Sequence, residues 1–258
     1  MDNGDRRHIR NRLLLTLPPT DIDLLQPNLT ATSLRKDDEL AAPGQPIGNV
    51  YFPETGIVTL LSPGEDRTEV GLIGPEGCVG SSLVLGVDQI PFRARVLGGS
   101  EGYMLPACAL FQILDESRSV RRLLGSYIQA LSVQLACSIY ATARFTLEQR
   151  LARWLLMAHD RIVDNELYLT HGTLARMLCV RRPGVTIATQ VLEGERLIRA
   201  RRGCITVLDR PGLVVRASGS YGLAEREYER LLGAMHEKRP LLTIAEQRLI
   251  SGQPATAH

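Results

Sequence analysis

The chain has 258 residues, enough for two modest domains, and its 44% hydrophobic and 22% charged residues are typical of a globular protein. The formal net charge of +2 is nearly neutral, so the total charge alone does not indicate a nucleic-acid partner. Five widely separated cysteines form no CxxC pair, which argues against a disulfide framework. We find no secretory segment and no stretch that approaches the length of a bilayer span. We therefore expect a cytoplasmic protein without a membrane partner.

The first hundred residues predict two short helical segments followed by many short strands. Residues 10–25 are helical in pattern, are interrupted by a Pro-Pro pair, and offer Thr20 as the N-cap of the second segment. From about residue 30 to 106, short apolar runs alternate with Gly and Pro, which is typical of a β-barrel or jelly roll. The clearest predicted strands are Val50–Phe52, Ile57–Leu61 and Arg93–Leu97.

Residues 107–160 contain no proline and a single glycine, which favours long helices. One helix of five or six turns carries an apolar stripe at four-three spacing, the period of a coiled-coil seam. The stripe packs either on its own domain or on a second copy of the chain. We favour the homodimer, because a long helix that leaves a barrel has little surface of its own to cover. The predicted dimerisation residues are Leu124, Ile128, Leu131 and Leu135.

A second amphipathic helix is predicted over residues 147–162, so the domain boundary is placed near residue 145.

The motif with the strongest signal in the sequence begins at Thr170. Thr170 is a good N-cap for a first short helix, and a break at Cys179-Val180 precedes a second helix from about Arg182 to Glu195. Pro183 lies in the first turn, where proline is tolerated. Two short helices joined by such a turn form a helix-turn-helix, and an ordinary helical hairpin is the alternative.

The second helix of this motif begins with side chains that suit base recognition. Arginine can bind guanine with two hydrogen bonds, glutamine can bind adenine, and threonine can contact a phosphate or a thymine methyl. Residues 197–208 predict two strands around a turn, a wing tipped by Arg201 and Arg202. Eleven arginines against six acidic residues lie between positions 144 and 202, which suits a phosphate backbone. The predicted DNA-binding residues are Thr170, His171, Arg181, Arg182, Gly184, Thr186, Gln190, Arg199 and Arg201.

Four segments of the chain resemble the Crp/Fnr superfamily of regulators. The segments 150–157 and 178–186 resemble the DNA-binding half of that superfamily, and the segments 50–56 and 69–77 resemble its cyclic-nucleotide-binding-type barrel. The resemblance extends over about residues 10–235. It implies a transcription regulator that binds double-stranded DNA as a homodimer, with RNA polymerase as a further partner.

The resemblance also implies an α+β fold in three parts. These are a double-stranded β-helix jelly roll with N-terminal helices over residues 1–106, a dimerisation helix and linker over 107–145, and a winged helix-turn-helix over 146–258. The last part includes a C-terminal helical extension, for which residues 223–236 predict an amphipathic helix.

The sequence departs from the family where members that bind cyclic AMP hold it. Those members use a Gly-Glu pair and a downstream arginine; here Ser81 follows Gly80, and Phe92 replaces the arginine unless Arg93 or Arg95 serves instead. Without both charged groups the two strongest charge-assisted contacts are lost. We therefore expect that cyclic AMP is not the effector. The candidate residues for an unidentified small-molecule effector are Gly80, Ser81, Arg93 and Arg95.

Two other function classes are considered. Phosphate-loop, nucleophile-elbow and HExxH motifs are missing, and residues 30–106 contain no histidine for a cupin metal site, so we expect no enzyme, no metal and no certain cofactor. The second alternative is a ligand-binding jelly-roll module that signals through protein partners. The arginine-rich motif argues against it. A redox role for Cys179 or Cys204, which flank the motif's second helix, stays open beside simple turn or core filling.

Overall fold

The computed structural model describes residues 9–64 and 68–233, and the chain divides into two compact units. Of the described residues, the first unit contains 9–63 and 73–129, and the second contains 64, 68–72 and 130–233. The division therefore falls inside a long helix, whereas the sequence pattern placed a boundary near residue 145. The first half of that helix belongs to the first unit because its side chains are buried there. Tyr127, for example, donates its hydroxyl to the carbonyl of Cys78 at 3.2 Å.

Two short helices precede the strands, α1 (Arg12–Leu15) and α2 (Pro19–Leu25). The N-cap of α2 is Pro18, so Thr20 lies inside the helix and the capping prediction is wrong. The strands are antiparallel wherever their register is defined. One sheet has the order β1 (Thr30–Leu34), β7 (Ser100–Pro106) and β3 (Asn49–Pro53), and a second has the order β2 (Glu39–Ala41), β6 (Arg93–Val96), β4 (Val58–Leu61) and β5 (Glu69–Ile73).

Alternation of side chains along the strands forms the core of the first unit. In β6, Ala94 and Val96 are fully buried while Arg93 and Arg95 point to the other face. In β3, Val50 and Phe52 are buried in the same way. The three strands predicted most clearly from the sequence are confirmed as β3, β4 and β6, with ends that differ by at most one residue.

Three helices follow the strands: α3 (Ala107–Glu116), α4 (Arg118–Arg144) and α5 (Leu147–His159). Thr146 begins α5 through a capping box, in which its hydroxyl accepts from the backbone of Gln149 and the Gln149 side chain accepts from the backbone of Thr146. Helix α4 has 27 residues and is longer than the five or six turns that the sequence predicted.

Helix α4 is also the candidate for a membrane span among the described residues. By length and composition alone it is apolar enough, with a mean hydropathy of 1.2 in its best window, a stretch that the sequence pattern did not indicate. Part of its surface is packed within the protein, and 28% of that window is buried. Leu124, Tyr127, Ala130 and Ala141 are buried, and the side-chain carbonyl of Gln134 accepts from the backbone of Leu72 at 3.0 Å.

The second unit is built around α5, whose residues 151–159 are all buried. Its remaining elements are β8 (Glu166–Leu167), α6 (His171–Met177), α7 (Arg182–Gly194), β9 (Ile198–Arg201), β10 (Cys204–Val207), α8 (Arg210–Arg216) and α9 (Leu223–Leu232). The three strands form one antiparallel sheet in the order β8-β10-β9. Helix α9 confirms the start of the helix predicted over 223–236, and residues 234–236 lie outside the described residues.

Glu69, the first residue of β5, contacts α5. The indole N–H of Trp154 donates to one carboxyl oxygen of Glu69 at 2.7 Å, and the other oxygen is shielded from solvent without a hydrogen-bond partner. Burial of the carboxyl raises the pKa of Glu69 from its ordinary value of 4.5 to about 8, although the Trp154 hydrogen bond and the charges of Arg153 and Arg161 oppose this rise. Burial therefore favours the protonated, neutral form of this carboxyl in the folded protein.

This geometry predicts that Glu69→Gln makes the unfolding free energy less dependent on pH. Because the folded-state pKa is raised, the stabilisation from protonated Glu69 is complete below about pH 4.5 and is lost as the pH rises through about 8. One such group contributes a slope of at most about 1.4 kcal/mol per pH unit. Urea unfolding from pH 5 to pH 8.5 should show a shallower slope for Glu69→Gln than for the natural chain.

The control for this experiment is Glu227→Gln. The pKa of Glu227 is lowered by its hydrogen bond from Arg230, so this change acts at acid pH and leaves the slope between pH 5 and pH 8.5 intact. Equal slopes for Glu69→Gln and the natural chain would contradict the assignment.

Candidate nucleic-acid interface

The helix-turn-helix begins at Thr170, as the sequence predicted. Its backbone is extended, and its hydroxyl accepts from the backbone N–H of Thr173 at 3.1 Å, which satisfies one of the free donors at the start of α6. His171 is the first residue of α6. The hydroxyl of Thr170 therefore caps the N-terminus of α6, and a DNA contact through this hydroxyl stays a prediction.

The turn between α6 and α7 is held by a side chain from α5. The guanidinium of Arg150 donates to the carbonyl of Leu178, the C-cap of α6, and the backbone N–H of Val180 donates to the carbonyl of Ala175 at 2.9 Å. Cys179 occupies the turn with φ of 53°, a left-handed conformation that favours glycine. Its thiol is exposed. The sequence did not predict the role of Arg150, since the contact spans 28 positions.

Helix α7 has one buried face and one exposed face. Val185, Ala188, Thr189 and Leu192 are buried, at the spacing of a single helical stripe, and α7 packs against α5 with this side. Gly184 allows close packing at the first turn, because a side chain there would meet Leu147 at 3.1 Å. The proposed DNA contact of Gly184 is thus limited to its backbone.

The predicted base-contacting residues lie at or near the exposed side of α7. Arg181, Arg182 and Gln190 are exposed, whereas Thr186 is half-buried. The Thr186 hydroxyl donates to the carbonyl of Arg182 at 3.2 Å and lies 3.0 Å from Nδ1 of His171. Because its single proton is used on the carbonyl, this arrangement requires His171 to donate from Nδ1. The hydroxyl of Thr186 is consequently engaged within the motif.

The wing consists of β9, β10 and the turn between them. Gly203 forms the turn with φ of 75°, and Arg201 pairs with Cys204 across it. Arg199 and Arg201 alternate with buried or half-buried neighbours and are both exposed on one face of β9. The carboxylate of Glu193 in α7 accepts from the backbone of Ala200 at 2.9 Å, which fixes the wing beside the end of α7.

The arginines around α7 and the wing share one property. All are exposed, and within the described residues none of them forms an ion pair; elsewhere in the same unit, Arg210 and Arg216 bind Asp160 and Glu195. Uncompensated guanidinium groups on one domain suit an anionic partner. We refer to these residues as the arginine cluster: Arg181, Arg182, Arg199, Arg201 and Arg202.

The predicted effector residues occupy two separate elements of the first unit. Gly80 has φ of 92° and lies close to the backbone of Asn49, and Ser81 begins a short 3-10 turn. Arg93 forms an ion pair with Glu39 of β2. Arg95 forms another with Asp37 at 3.2 Å. Both guanidinium groups therefore already have carboxylate partners within the protein.

The predicted dimerisation stripe is buried to different degrees. Leu124 is buried within its own chain, which leaves little surface for a partner. Ile128, Leu131 and Leu135 are half-buried, and Ile139, the next residue of the stripe, is 72% exposed. The apolar stripe thus becomes more accessible toward the end of α4.

Two short helices with a tight turn, followed by a two-stranded wing, define a winged helix-turn-helix, a class of DNA-binding domain. Residues 149–215 match the family model described as a Crp-like helix-turn-helix domain. The second unit therefore carries a Crp-like helix-turn-helix domain, and the chain has the fold of the Crp/Fnr superfamily. This finding confirms the resemblance inferred from the sequence and the predicted fold class.

Solved structures extend the likeness to most of the chain. A Crp/Fnr-family regulator from Eubacterium rectale superposes with a TM-score of 0.62 at 18% identity, covering 78% of this chain and 95% of that one. A Crp/Fnr-family regulator from Thermus thermophilus gives 0.60 at 22% identity, covering 73% and 98%. The c-di-GMP-responsive regulator CLP from Xanthomonas campestris gives 0.58 at 18% identity, covering 74% and 99%. At these identities the likeness concerns the fold. No curated protein matches the chain.

The left-handed conformation of Cys179 predicts that Cys179→Gly stabilises the protein. The left-handed conformation costs a residue with a Cβ atom about 1–2 kcal/mol, and glycine avoids this cost. The larger conformational entropy of glycine in the unfolded state offsets part of that stabilisation. The expected net increase in unfolding free energy is about 0.5–1 kcal/mol, measured by urea unfolding. Cys108→Gly, an exposed cysteine within α3, should instead destabilise the protein. Destabilisation by both changes would contradict the argument.

Proposed function

We propose that the protein is a sequence-specific transcription regulator that binds a pseudo-palindromic DNA site as a homodimer. The observation that supports this most directly is the arginine cluster, whose five exposed guanidinium groups have no carboxylate partner in the described residues. Arg182 and Gln190 would contact bases in the major groove, and Arg181, Arg199, Arg201 and His171 would bind phosphates. A cytoplasmic location follows from this role, and RNA polymerase is a further proposed partner.

The homodimer is proposed to form through the second half of α4. Ile128, Leu131 and Leu135 leave part of their apolar surface uncovered within one chain, and their spacing is that of a helix pair. Two copies related by a twofold axis would present two α7 helices to successive major grooves, with half-sites about 10 base pairs apart.

Cyclic AMP is proposed not to be the effector. Binding its phosphate needs a free cation, and the guanidinium groups of Arg93 and Arg95 are engaged by Glu39 and Asp37. A ligand that binds the first unit through these arginines would first have to break an ion pair. The structural neighbour CLP is described as responsive to c-di-GMP, so the same fold serves an effector other than cyclic AMP in that protein.

An enzyme and a protein-directed signalling module are the alternatives. The structures that the chain resembles are regulators, which favours a protein without catalytic activity. A signalling module that never binds DNA has no use for the arginine cluster. Selection of binding sites by the purified full chain from a random duplex pool separates these possibilities, since inverted half-sites about 10 base pairs apart support the proposal. A pool without enrichment at low and at physiological salt would reject it.

Two arginines of the cluster should affect binding in different ways. Arg182→Ala removes a base contact, so it should cost about 1–3 kcal/mol of binding free energy and blur the preference at one base position of each half-site. Arg201→Ala removes a phosphate contact, so it should weaken binding to all sequences alike and reduce the salt dependence. Both effects are measured by fluorescence anisotropy against the selected site and single-base variants of it.

The control for these variants is Arg122→Ala, an exposed arginine of α4 in the first unit. It should leave both the affinity and the salt dependence unchanged. Unchanged site preference in Arg182→Ala would refute the role assigned to that residue.

Titration calorimetry of the natural chain with cyclic AMP should show no binding up to millimolar ligand. The physical reason is the pairing of both candidate arginines with carboxylates. Micromolar binding would overturn this prediction. The double variant Glu39→Gln with Asp37→Asn removes both carboxylate partners, while Arg95 keeps its hydrogen bond to the backbone carbonyl of Asp37. Binding gained by this variant would show that the ion pairs exclude the ligand.

A further inference from the structure

The exposed face of α7 contains an apolar side chain that is not among the DNA-binding residues predicted from the sequence. Ile187 is 59% exposed, on the side of the helix opposite the buried residues Val185, Ala188 and Leu192. Single exposed apolar residues are ordinary on protein surfaces. Ile187 differs from the others in its position, because it lies between Pro183 and Gln190 on the face that the proposed function directs to the DNA.

The neighbours of Ile187 give the exposed face of α7 an apolar centre and polar borders. Pro183 lies one turn earlier, is also exposed, and extends the apolar surface of Ile187 along the helix. Arg182 and Gln190 border this surface with hydrogen-bonding groups. The centre of the face thus offers no donor or acceptor, whereas its borders do.

Thr186, the residue first expected to contact a thymine methyl, is poorly placed for it. It is half-buried, and its hydroxyl is held by His171 and the Arg182 carbonyl. Ile187, the next residue, projects farther from the core. The exposed apolar side chain on this part of α7 is therefore that of Ile187 and not that of Thr186.

The major groove offers one apolar group, the C5 methyl of thymine, and other bases present polar atoms at their edges. We infer that Ile187 is a specificity-determining residue that packs on the C5 methyl of a thymine beside the base pair contacted by Arg182. A cytosine, guanine or adenine in its place would leave polar atoms desolvated against an aliphatic side chain. This inference rests on the proposed DNA-binding function and names part of the sequence that is recognised.

The test removes one methyl group at a time from the DNA. Each thymine of the selected half-site is replaced by uracil, which differs only in lacking the C5 methyl, and the dissociation constant is measured with the full chain. For the natural protein, one thymine should stand out, with uracil weakening binding about three- to five-fold, the effect of one buried methyl group. For Ile187→Ala the same replacement should have no effect. If cytosine is placed at that position, 5-methylcytosine should bind better than cytosine only to the natural protein.

Val215→Ala is the matched control, since Val215 is also 59% exposed but lies on α8. This variant should keep the full response to uracil. The inference is overturned if the natural protein binds its selected site but no thymine responds to uracil, or if the response persists in Ile187→Ala. Absence of any site-specific binding by the natural protein would instead reject the proposed function, so the two failures are distinguishable.

Discussion

The packing of α7 on α5 is the contact on which the interface depends. Val185, Ala188 and Leu192 are fully buried, and Gly184 lets the first turn of α7 approach Leu147. A helix with one face fixed in a core has its opposite face fixed as well. The positions of the exposed side chains of α7 are therefore determined by apolar residues that never contact a ligand, and small changes of volume beneath the helix would rotate or shift the whole exposed face.

The sequence predicted the second unit well because its signals are local. Thr170 marks the start of α6 by its own side chain, Pro183 fits only the first turn of a helix, and Gly203 forms the turn of the wing. Each of these signals acts within three or four residues, so no knowledge of the tertiary structure is needed to interpret it. The strands of the first unit were also predicted from a local signal, the alternation of short apolar runs with Gly and Pro.

Contacts between distant residues could not be predicted in this way. The hydroxyl of Thr186 is engaged by His171, 15 positions earlier, and Arg93 is paired with Glu39 on another strand. Leu124 has the spacing of a dimer contact but is buried within its own chain. In each case the residue type suggested a side chain available to bind a partner, whereas in the folded chain that side chain is already hydrogen-bonded, ion-paired or buried. Identity and spacing therefore define candidates, and burial and pairing decide which of them remain accessible.

The second unit is discontinuous in sequence, which affects both its folding during synthesis and the choice of fragments that contain it. Glu69 contacts Trp154 across 85 positions, so the ribosome delivers the acceptor long before the donor. The pairing of Glu69 with Trp154 can form only after α5 has emerged, and closing so long a loop slows folding. A fragment that begins at residue 130 lacks Glu69, and it leaves the indole N–H of Trp154 without this acceptor. The second unit therefore includes a residue that a boundary placed by the helix-turn-helix motif would exclude.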